Sequence, residues 1–308
     1  MKKRKKQIIG FTIFFLFSAY GTQSQDTRLN TIKKAIAKRN ESLTENLKIS
    51  GIKAVMEGYT HDVLFFPQYK TAISSKTDLE DFYTEWTDSF EIMDYGKNTV
   101  CLEIIGNRLV EIGTFSLTGN EKQKIPFTGN YMVIWKKVEA VYQIEIELFG
   151  NDTYVTRNQV PYASVSIPIP HALPKYMLSE DTKIEKELIF HNNQVIEAVT
   201  KGDPEKRIRG FHDEAILIPN FSEIKKGKER IVPYIESVYH PESNLYVSHK
   251  FYDVRVIDEN HVIVAGHYKG GWDRPNDKGS FEGNMLNLLK RNEEGKLVMY
   301  RQISNRIK

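Results

Sequence analysis

The hydrophobic positions along the chain follow helical spacing in some stretches and strand spacing in others. Ile32, Ile36, Leu43 and Leu47 recur on one face of a predicted helix. A Thr-Asp-Leu-Glu capping box at 77–80 predicts the start of another helix. Strands are predicted where β-branched and aromatic residues gather or alternate with polar ones. The predicted strands of the first half are 63–66, 99–105, 109–117, 129–138 and 142–149.

The same order of elements returns in the second half. Helices are predicted near 182–199, from 203 onward, and near 230–239. The predicted strands of this half are 215–218, 246–256, 261–269, 280–290 and 297–304.

The two halves also match each other residue by residue. The matching stretches are 58–67 with 210–219, 112–115 with 265–268, and 129–137 with 283–291. The offset rises slowly from 152 to 154, as short loop insertions would produce. Two copies of one domain explain this pattern, the first at 26–152 and the second at 180–308. The proline-containing stretch 153–179 between them predicts a semi-extended linker.

The N-terminus has the pattern of an export signal. A basic cluster at 2–6 precedes a short apolar stretch at 8–19 and small or polar residues at 21–24. This predicts a cleaved signal peptide over 1–24 and a periplasmic or secreted protein. The apolar stretch is shorter than the roughly 20 residues that a transmembrane helix needs, so no stable membrane span is expected. The alternative is an uncleaved anchor. No cysteine follows the stretch, which excludes a bacterial lipoprotein.

Charge and cysteine content narrow the class further. The signal carries five Lys/Arg and no Asp/Glu, which leaves 38 basic and 40 acidic residues and a net charge of −2 in the mature chain. Such a chain lacks the concentrated positive surface that binding to nucleic acid requires, so no nucleic-acid partner is expected. The single cysteine, Cys101, excludes an intramolecular disulfide framework and a cysteine-rich metal site.

Two stretches of the first copy carry a family resemblance. The Gly-Asn-Tyr-Met-Val-Ile-Trp-Lys-Lys stretch at 129–137, followed by 142–149, resembles the C-terminal hairpin of the SnoaL-like, nuclear-transport-factor-2-like superfamily. The Gly-Tyr-Thr-His-Asp stretch at 58–62 resembles that family's Tyr-x-x-Asp segment. Tyr142 and Leu297 depart from the usual tryptophan of the hairpin turn. The resemblance implies an α+β cone in each copy, with N-terminal helices packed in a curved antiparallel sheet and a pocket at the open end.

No recognisable catalytic motif is present, and neither a metal nor a cofactor is expected. The candidate catalytic residues are Glu147, His212 and His267, since a pocket carboxylate or a histidine is suited to proton transfer. Glu145 and Glu147 alternate with apolar residues and are expected on one face of the last strand of the first copy. If that face is convex, both are solvated strand residues.

Aromatic side chains are the candidates for lining a ligand pocket. They are Tyr59, Trp86, Tyr131, Trp135, Tyr252, Tyr268 and Trp272. The alternative for most of them is an ordinary place in the core. Trp272 is expected in a polar hairpin loop rich in Gly and Pro, where it would be a contact residue.

Three functions remain open on this basis. The first is an exported protein that binds a small molecule in one or both cones. The second is an isomerase, lyase or hydrolase type of enzyme, and the third is a non-catalytic assembly scaffold. Because the second copy holds His212, His249 and His267, polar chemistry is expected there and apolar binding in the first copy. The two copies are expected to pair as a pseudo-dimer within the chain, or to form a homo-oligomer.

Overall fold

The chain forms two successive units, each with helices first and a curved sheet afterwards. The computed structural model describes residues 5–120, 126–166, 173, 175–239, 244–274 and 276–308, with side chains from Thr27 onward. The first helix, α1, runs from Lys5 to Lys48. The side chains of the predicted signal lie outside the described residues, so cleavage of that segment stays a prediction.

The first unit has the elements that the hydrophobic pattern predicts. After α1 they are α2 (Ile52–Met56), β1 (Tyr59–Phe66), α3 (Lys76–Ser89), β2 (Ile92–Ile105), β3 (Arg108–Gly119), β4 (Phe127–Val138) and β5 (Val141–Asn151). Helix α3 begins two residues earlier than the capping box suggests, because Ser75 and not Thr77 is the N-cap, and its hydroxyl accepts a hydrogen bond from the Asp78 amide at 3.0 Å.

The second unit repeats this order. Its elements are α4 (Lys183–Lys201), α5 (Pro204–Arg209), β6 (Phe211–Ile218), β7 (Lys225–Lys226), α6 (Lys228–Val238), β8 (Leu245–Val256), β9 (His261–Arg274), β10 (Asp277–Arg291) and β11 (Leu297–Arg306). Thr182 caps the start of α4, and Gly202 ends it with a left-handed φ of 61°.

Both sheets are mixed rather than antiparallel throughout. The strand orders are β1-β5-β4-β3-β2 and β7-β6-β11-β10-β9-β8. The first strand of each unit pairs in parallel with the last, β1 with β5 and β6 with β11, whereas the other pairs are antiparallel. A parallel pair needs a long connection, which the rest of each unit provides. The expected tandem α+β architecture is therefore confirmed, with one parallel pair in each sheet that the sequence pattern did not predict.

The inner, concave face of each sheet packs on its own helices. In the first unit, Leu43 of α1 and Phe82 of α3 belong to one core cluster with Tyr131 and Trp135 of β4. In the second unit, Leu188 of α4 packs with Val264 and Leu289. These inner faces are the interiors of the two cones.

The outer faces of the two sheets pack against each other. One apolar cluster combines residues of both units, including Met132 and Ile134 of β4 with Ala265 of β9 and Leu286 and Leu288 of β10. Burying an apolar sheet face against a second sheet is what an open sheet requires for stability.

Reciprocal hydrogen bonds show that this packing has an approximate two-fold relation. The Asn130 side chain donates to the Ser222 carbonyl at 2.8 Å. Its counterpart in the second unit, Asn284, donates to the Lys70 carbonyl at 3.3 Å. Lys70 and Ser222 are themselves counterparts at an offset of 152. A contact that recurs with the two partners exchanged is the mark of an isologous interface.

Two ion pairs join the two units across this interface. Glu103 of β2 pairs with Arg301 of β11, and Glu145 of β5 pairs with Arg255 of β8. In both pairs the acid belongs to the first unit and the base to the second.

The chain that follows β5 packs into the first unit before it reaches the second. A 3₁₀ turn at Arg157–Gln159 leads to Tyr162, which is fully buried against Phe82, Trp86 and Phe149. Part of the predicted linker thus completes the aromatic core of the first cone. Among the residues with described side chains, no helix is long and apolar enough to cross a membrane.

Candidate ligand site in the second cone

The interior of the first cone holds a buried ion pair. Lys97 Nζ lies 2.7 Å from Glu147 Oε1, and both side chains are less than 5% exposed. Tyr59 donates a hydrogen bond to Glu147 Oε2 at 2.8 Å. Burial disfavours the charged amine of Lys97, but the attraction of Glu147 outweighs this effect and raises the pKa of Lys97. Burial, and then the Glu147 charge, raise the pKa of Tyr59 well above its ordinary value.

A second buried carboxylate in this interior was missed by the sequence analysis. Glu111 Oε1 accepts hydrogen bonds from Asn40 at 2.8 Å, Tyr131 at 2.8 Å and Thr99 at 2.5 Å. Its Oε2 accepts one from Trp135 at 2.9 Å. The only sequence signal was an acidic residue between Val110 and Ile112, within a strand that is otherwise apolar.

The aromatic candidates of the first copy are therefore parts of a filled interior. Tyr59, Tyr131 and Trp135 are buried and donate to the two carboxylates. Trp86 stacks on Tyr83 with ring centroids 5.9 Å apart. Hydrogen-bonded carboxylates and packed rings of this kind stabilise a core. Trp86 contributes by packing alone, since its Nε1 has no hydrogen-bond partner among the described residues.

Glu145 and Glu147 lie on opposite faces of the sheet, contrary to the expected alternation. Glu147 points into the cone, whereas Glu145 points outward and pairs with Arg108, Lys136 and Arg255. The cause is an irregularity between β4 and β5, where Ile134 pairs with Ile146 but Trp135 pairs with Ile144. One extra residue in a strand reverses the face of the residues that follow it.

The second cone replaces the charged groups of the first. Strand pairing aligns Lys97 with His249, because their partners Phe115 and Tyr268 are counterparts. In the same way Glu147 corresponds to Gln302, since Phe65 pairs with Glu147 and Leu217 pairs with Gln302. The ion pair of the first cone thus has a histidine and an amide as its counterparts.

A cavity of about 30 Å³ lies in this second interior. That volume has room for one or two water molecules. Its apolar lining comes from Leu178, Leu188, Val195, Phe251, Val254, Val264, Leu289 and Met299. Its polar lining comes from His191, Asn192, His249, Asn287 and Gln302. His249 Nδ1 lies 2.6 Å from Asn192 Oδ1, so helix α4 and strand β8 meet at the cavity.

Several polar atoms around the cavity have no hydrogen-bond partner among the described residues. They are His191 Nε2 and Asn287 Oδ1 of the lining, and Nε and Nη1 of Arg207, which contacts the lining residue Gln302. Asn287 is 6% exposed and Arg207 is 4% exposed, so bulk water does not satisfy these atoms. Buried polar atoms normally find partners, and a group of unpaired ones around a cavity indicates a place for a further molecule.

Arg207 is held beside the cavity by two contacts. Its Nη2 donates to Gln302 Oε1 at 2.8 Å, and its guanidinium lies over the Phe211 ring, 4.2 Å from the centroid. In the described part of the chain, no carboxylate lies within ion-pair distance of Arg207. A guanidinium stacked on a ring keeps its hydrogen-bond donors free at the edges.

Both cavity histidines are held in the neutral form. Burial, followed by the charge of Arg207, lowers the pKa of His191 to about 3. The same two causes lower the pKa of His249 to about 4. At neutral pH both imidazoles are therefore uncharged, and each can donate or accept hydrogen bonds.

An open groove of about 670 Å³ lies outside the cavity, and His191 lines both. The groove runs between α4, α5 and the turn before β11, with Gly210 and Leu297 in its wall. Its volume falls within the range of about 300–1,000 Å³ typical of ligand pockets.

The other candidate histidines lie away from this cavity. His212 Nδ1 accepts a hydrogen bond from the Glu214 amide at 3.1 Å, and its ring contacts Tyr300 of the outer-face cluster. His267 Nε2 lies 2.8 Å from Glu282 Oε1, and its ring is near Tyr252. The structure does not bring His212 and His267 together at one site.

The remaining aromatic candidates are also placed elsewhere. Tyr252 stacks on Phe66 across the interface between the units. Tyr268 donates to the Asn305 carbonyl at 2.9 Å. Trp272 lies within β9 and not in a loop, because the hairpin extends past it and Gly279 on β10 leaves room for the indole. Its Nε1 donates to Asp277 at 2.8 Å.

His191 and Asn192 were not among the site residues predicted from the sequence. The available signal was the polar run His191-Asn192-Asn193 inside an amphipathic helix. Within the part of the chain that the structure describes, no cluster of His, Cys, Asp or Glu has the composition of a metal site.

Comparison with known proteins found similar solved structures only. No family model matches the chain, and no curated protein matches it. A ketosteroid isomerase-like protein from Erwinia carotovora atroseptica is 17% identical over 41% of this chain and 94% of its own, with a TM-score of 0.35. An NTF-2 like protein from Shewanella oneidensis is 16% identical over 39% of this chain and 97% of its own, with a TM-score of 0.33. An NTF2-like protein from Cytophaga hutchinsonii is 12% identical over 39% of this chain and 97% of its own, with a TM-score of 0.35.

Proposed function

We propose that this chain binds a small organic molecule in the second cone, and that the first cone serves as its packed structural partner. The observation that carries the proposal is the contrast between the two interiors. In the first, the carboxylates of Glu111 and Glu147 are hydrogen-bonded by their neighbours. The first interior also has unpaired buried atoms, at Asn40, Trp86 and Tyr162. In the second, the unpaired atoms of His191 and Asn287 line a cavity, and the buried Arg207 beside it has no counter-charge among the described residues.

The cavity and the outer groove together have the composition of a ligand site. The apolar walls favour a hydrocarbon body, and the few polar groups fix its orientation. The cavity, at about 30 Å³, has room for only a small chemical group, whereas the groove, at about 670 Å³, has room for the rest of a molecule. A ligand would therefore place one end in the cavity past His191 and its body in the groove.

The enzyme alternative is favoured by one observation, the neutral His191 with a free Nε2. An efficient general base has a pKa near the working pH. The pKa of about 3 at His191 and of about 4 at His249 makes both of them weak proton acceptors. Binding is therefore the better supported function.

The scaffold alternative predicts two filled interiors. The first cone fits that description, since Tyr59, Tyr131 and Trp135 are fully buried in it. The second cone does not, because a cavity lies in it and the buried Arg207 has no counter-charge among the described residues.

We also propose that the chain is exported to the periplasm or beyond. The basic cluster at 2–6 and the short apolar stretch at 8–19 support this proposal. A binding protein outside the cytoplasm would meet its ligand in the surrounding medium.

The binding proposal is tested by following the ring signals of His191 and His249 by nuclear magnetic resonance. The probes are small molecules such as acetamide, propionate and benzyl alcohol. At least one of them is expected to shift both signals, and the shift is expected to saturate as its concentration rises. His61, exposed in the first unit, is the internal control. Asn287→Leu fills the cavity and is expected to abolish the shifts. If no probe moves either histidine, the proposal is wrong.

A further inference from the structure

Resting on this proposed site, the buried arginine indicates what the ligand carries. Arg207 is 4% exposed, and its Nε and Nη1 have no partner among the described residues. The third nitrogen donates to the neutral amide oxygen of Gln302. A buried charge without a counter-charge costs several kcal/mol, so an anion brought by a ligand would be bound strongly at this point.

The first cone shows which group is missing. There, the buried Lys97 faces the carboxylate of Glu147. The position that corresponds to Glu147 holds Gln302, an amide of nearly the same shape, directly against Arg207. The second cone thus keeps a buried cation while the acidic side chain at this position is replaced by a neutral one.

We infer that the ligand of the second cone carries a carboxylate that binds the free edge of Arg207, with the rest of the molecule in the outer groove. Arg207 is buried and lines neither the cavity nor the groove, but Gly210, which lines the groove, lies next to it. A Cβ placed on Gly210 would lie 3.8 Å from Arg207 Nη1. The unpaired Nε and Nη1 supply the donors for the carboxylate oxygens.

The charge balance favours a carboxylate over a phosphate group. Arg207 provides one positive charge. Of the cations that line the groove, Lys206, Arg209 and Lys296 pair with Glu197, Glu205 and Glu294, whereas Lys186 has no ion pair among the described residues. Arg207 is the buried cation beside the cavity, and its single buried charge matches a monoanion, whereas a phosphate dianion would need a second buried cation next to it.

The first test compares acetate, acetamide and inorganic phosphate as probes on the full chain, at matched ionic strength. Acetate is expected to raise the midpoint of thermal unfolding saturably, by about 3 °C or more, and acetamide and phosphate are not. If acetate and acetamide act equally on the midpoint and on the His191 ring signal, the second cone binds a ligand but the inference that this ligand carries a carboxylate is wrong. If phosphate alone acts, the carboxylate is also wrong. If no probe changes the midpoint or the His191 ring signal, both the proposed binding site and the carboxylate inference are wrong.

The second test supplies the missing acid from within the protein. Gln302→Glu places a carboxylate against Arg207, and we expect it to raise the unfolding midpoint by several degrees and to abolish the acetate effect. Gln159→Glu, which adds the same charge at an exposed turn of the first unit, is the matched control and is expected to change neither. Arg207→Gln removes the cation and is expected to abolish the acetate effect by itself. A lower midpoint for Gln302→Glu, or an acetate effect that survives in both variants, overturns the inference.

Discussion

Lys97 and His249 hold the same position in the two sheets, one beside the Glu147 carboxylate and the other beside the Asn192 amide. The two cones therefore share a backbone plan and differ in the chemistry of their interiors. A buried ion pair suits a packed core, whereas neutral hydrogen-bonding groups beside a cavity suit binding.

Breaking the ion pair between Lys97 and Glu147 should destabilise the protein strongly. Glu147→Gln leaves the buried Lys97 amine without its counter-charge, and we expect a loss of about 3–5 kcal/mol in the free energy of unfolding. Urea denaturation measures this loss. The double variant Lys97→Met/Glu147→Gln removes both charges and should recover part of it. A single variant as stable as the wild type would show that the pair contributes little.

Acid should weaken the fold through the two cavity histidines. Their pKa values of about 3 and about 4 lie below the ordinary value of about 6.5. As the pH falls below 6.5, these two histidines therefore bind protons in the unfolded chain but stay neutral in the folded chain. The contribution of the two histidines to the free energy of unfolding is fully present above pH 6.5. It is lost toward pH 4, by up to about 1.4 kcal/mol per pH unit for each histidine.

The measurement is the unfolding free energy between pH 7.5 and pH 5, above the range in which most carboxylates titrate. His249→Asn should flatten this pH dependence, and His61→Asn, at an exposed position, should leave it unchanged. An equal slope in the wild type and in His249→Asn would contradict the assignment.

Charge reversal should reveal the ion pairs between the two units. Glu103→Arg places two cations together at the interface, beside Arg301, and should cost about 3 kcal/mol or more. The exchange Glu103→Arg/Arg301→Glu should restore part of that stability, as a double-mutant cycle would record. Reversal of the exposed pair Glu294 and Lys296 is the control, with an expected effect below about 1 kcal/mol. If Glu103→Arg behaves like this control, the pair does not hold the units together.

The chain between the units should matter for the stability of the first cone. Tyr162→Ala removes a fully buried ring that contacts Phe82, Trp86 and Phe149. We expect a loss of about 3–5 kcal/mol in unfolding free energy. Tyr162→Phe keeps the ring and should cost less than about 1.5 kcal/mol. Equal losses for the two variants would mean that the hydroxyl, and not the packing, is important.

If the chain is exported as proposed, the mature protein should lack the N-terminal signal peptide. The signal should be removed after Gly21 or after Ser24, which the intact mass of the exported chain would show. A mass that retains residues 1–20 would contradict cleavage.

Hydrophobic spacing was enough to predict the order of the elements and most strand positions, and the match between the two halves predicted two units of the same plan. It could not predict the parallel pairing of the first and last strands, because that pairing depends on contacts between residues far apart in the chain. It also placed Glu145 and Glu147 on one face, since a β-bulge leaves no mark in a pattern of alternating residues. His191 and Arg207 were missed because their role depends on which neighbours lack a partner, which the sequence does not record.

The sidedness of the two ion pairs between the units has a consequence for newly made chains. Both acids, Glu103 and Glu145, belong to the first unit, and both bases, Arg255 and Arg301, belong to the second. If two first units met through their outer faces by the same two-fold relation, acid would face acid, and two second units would bring base against base. Repulsion of like charges in a desolvated interface opposes both encounters. A first unit emerging from the ribosome thus exposes an apolar face whose charges fit a partner still being synthesised on the same chain.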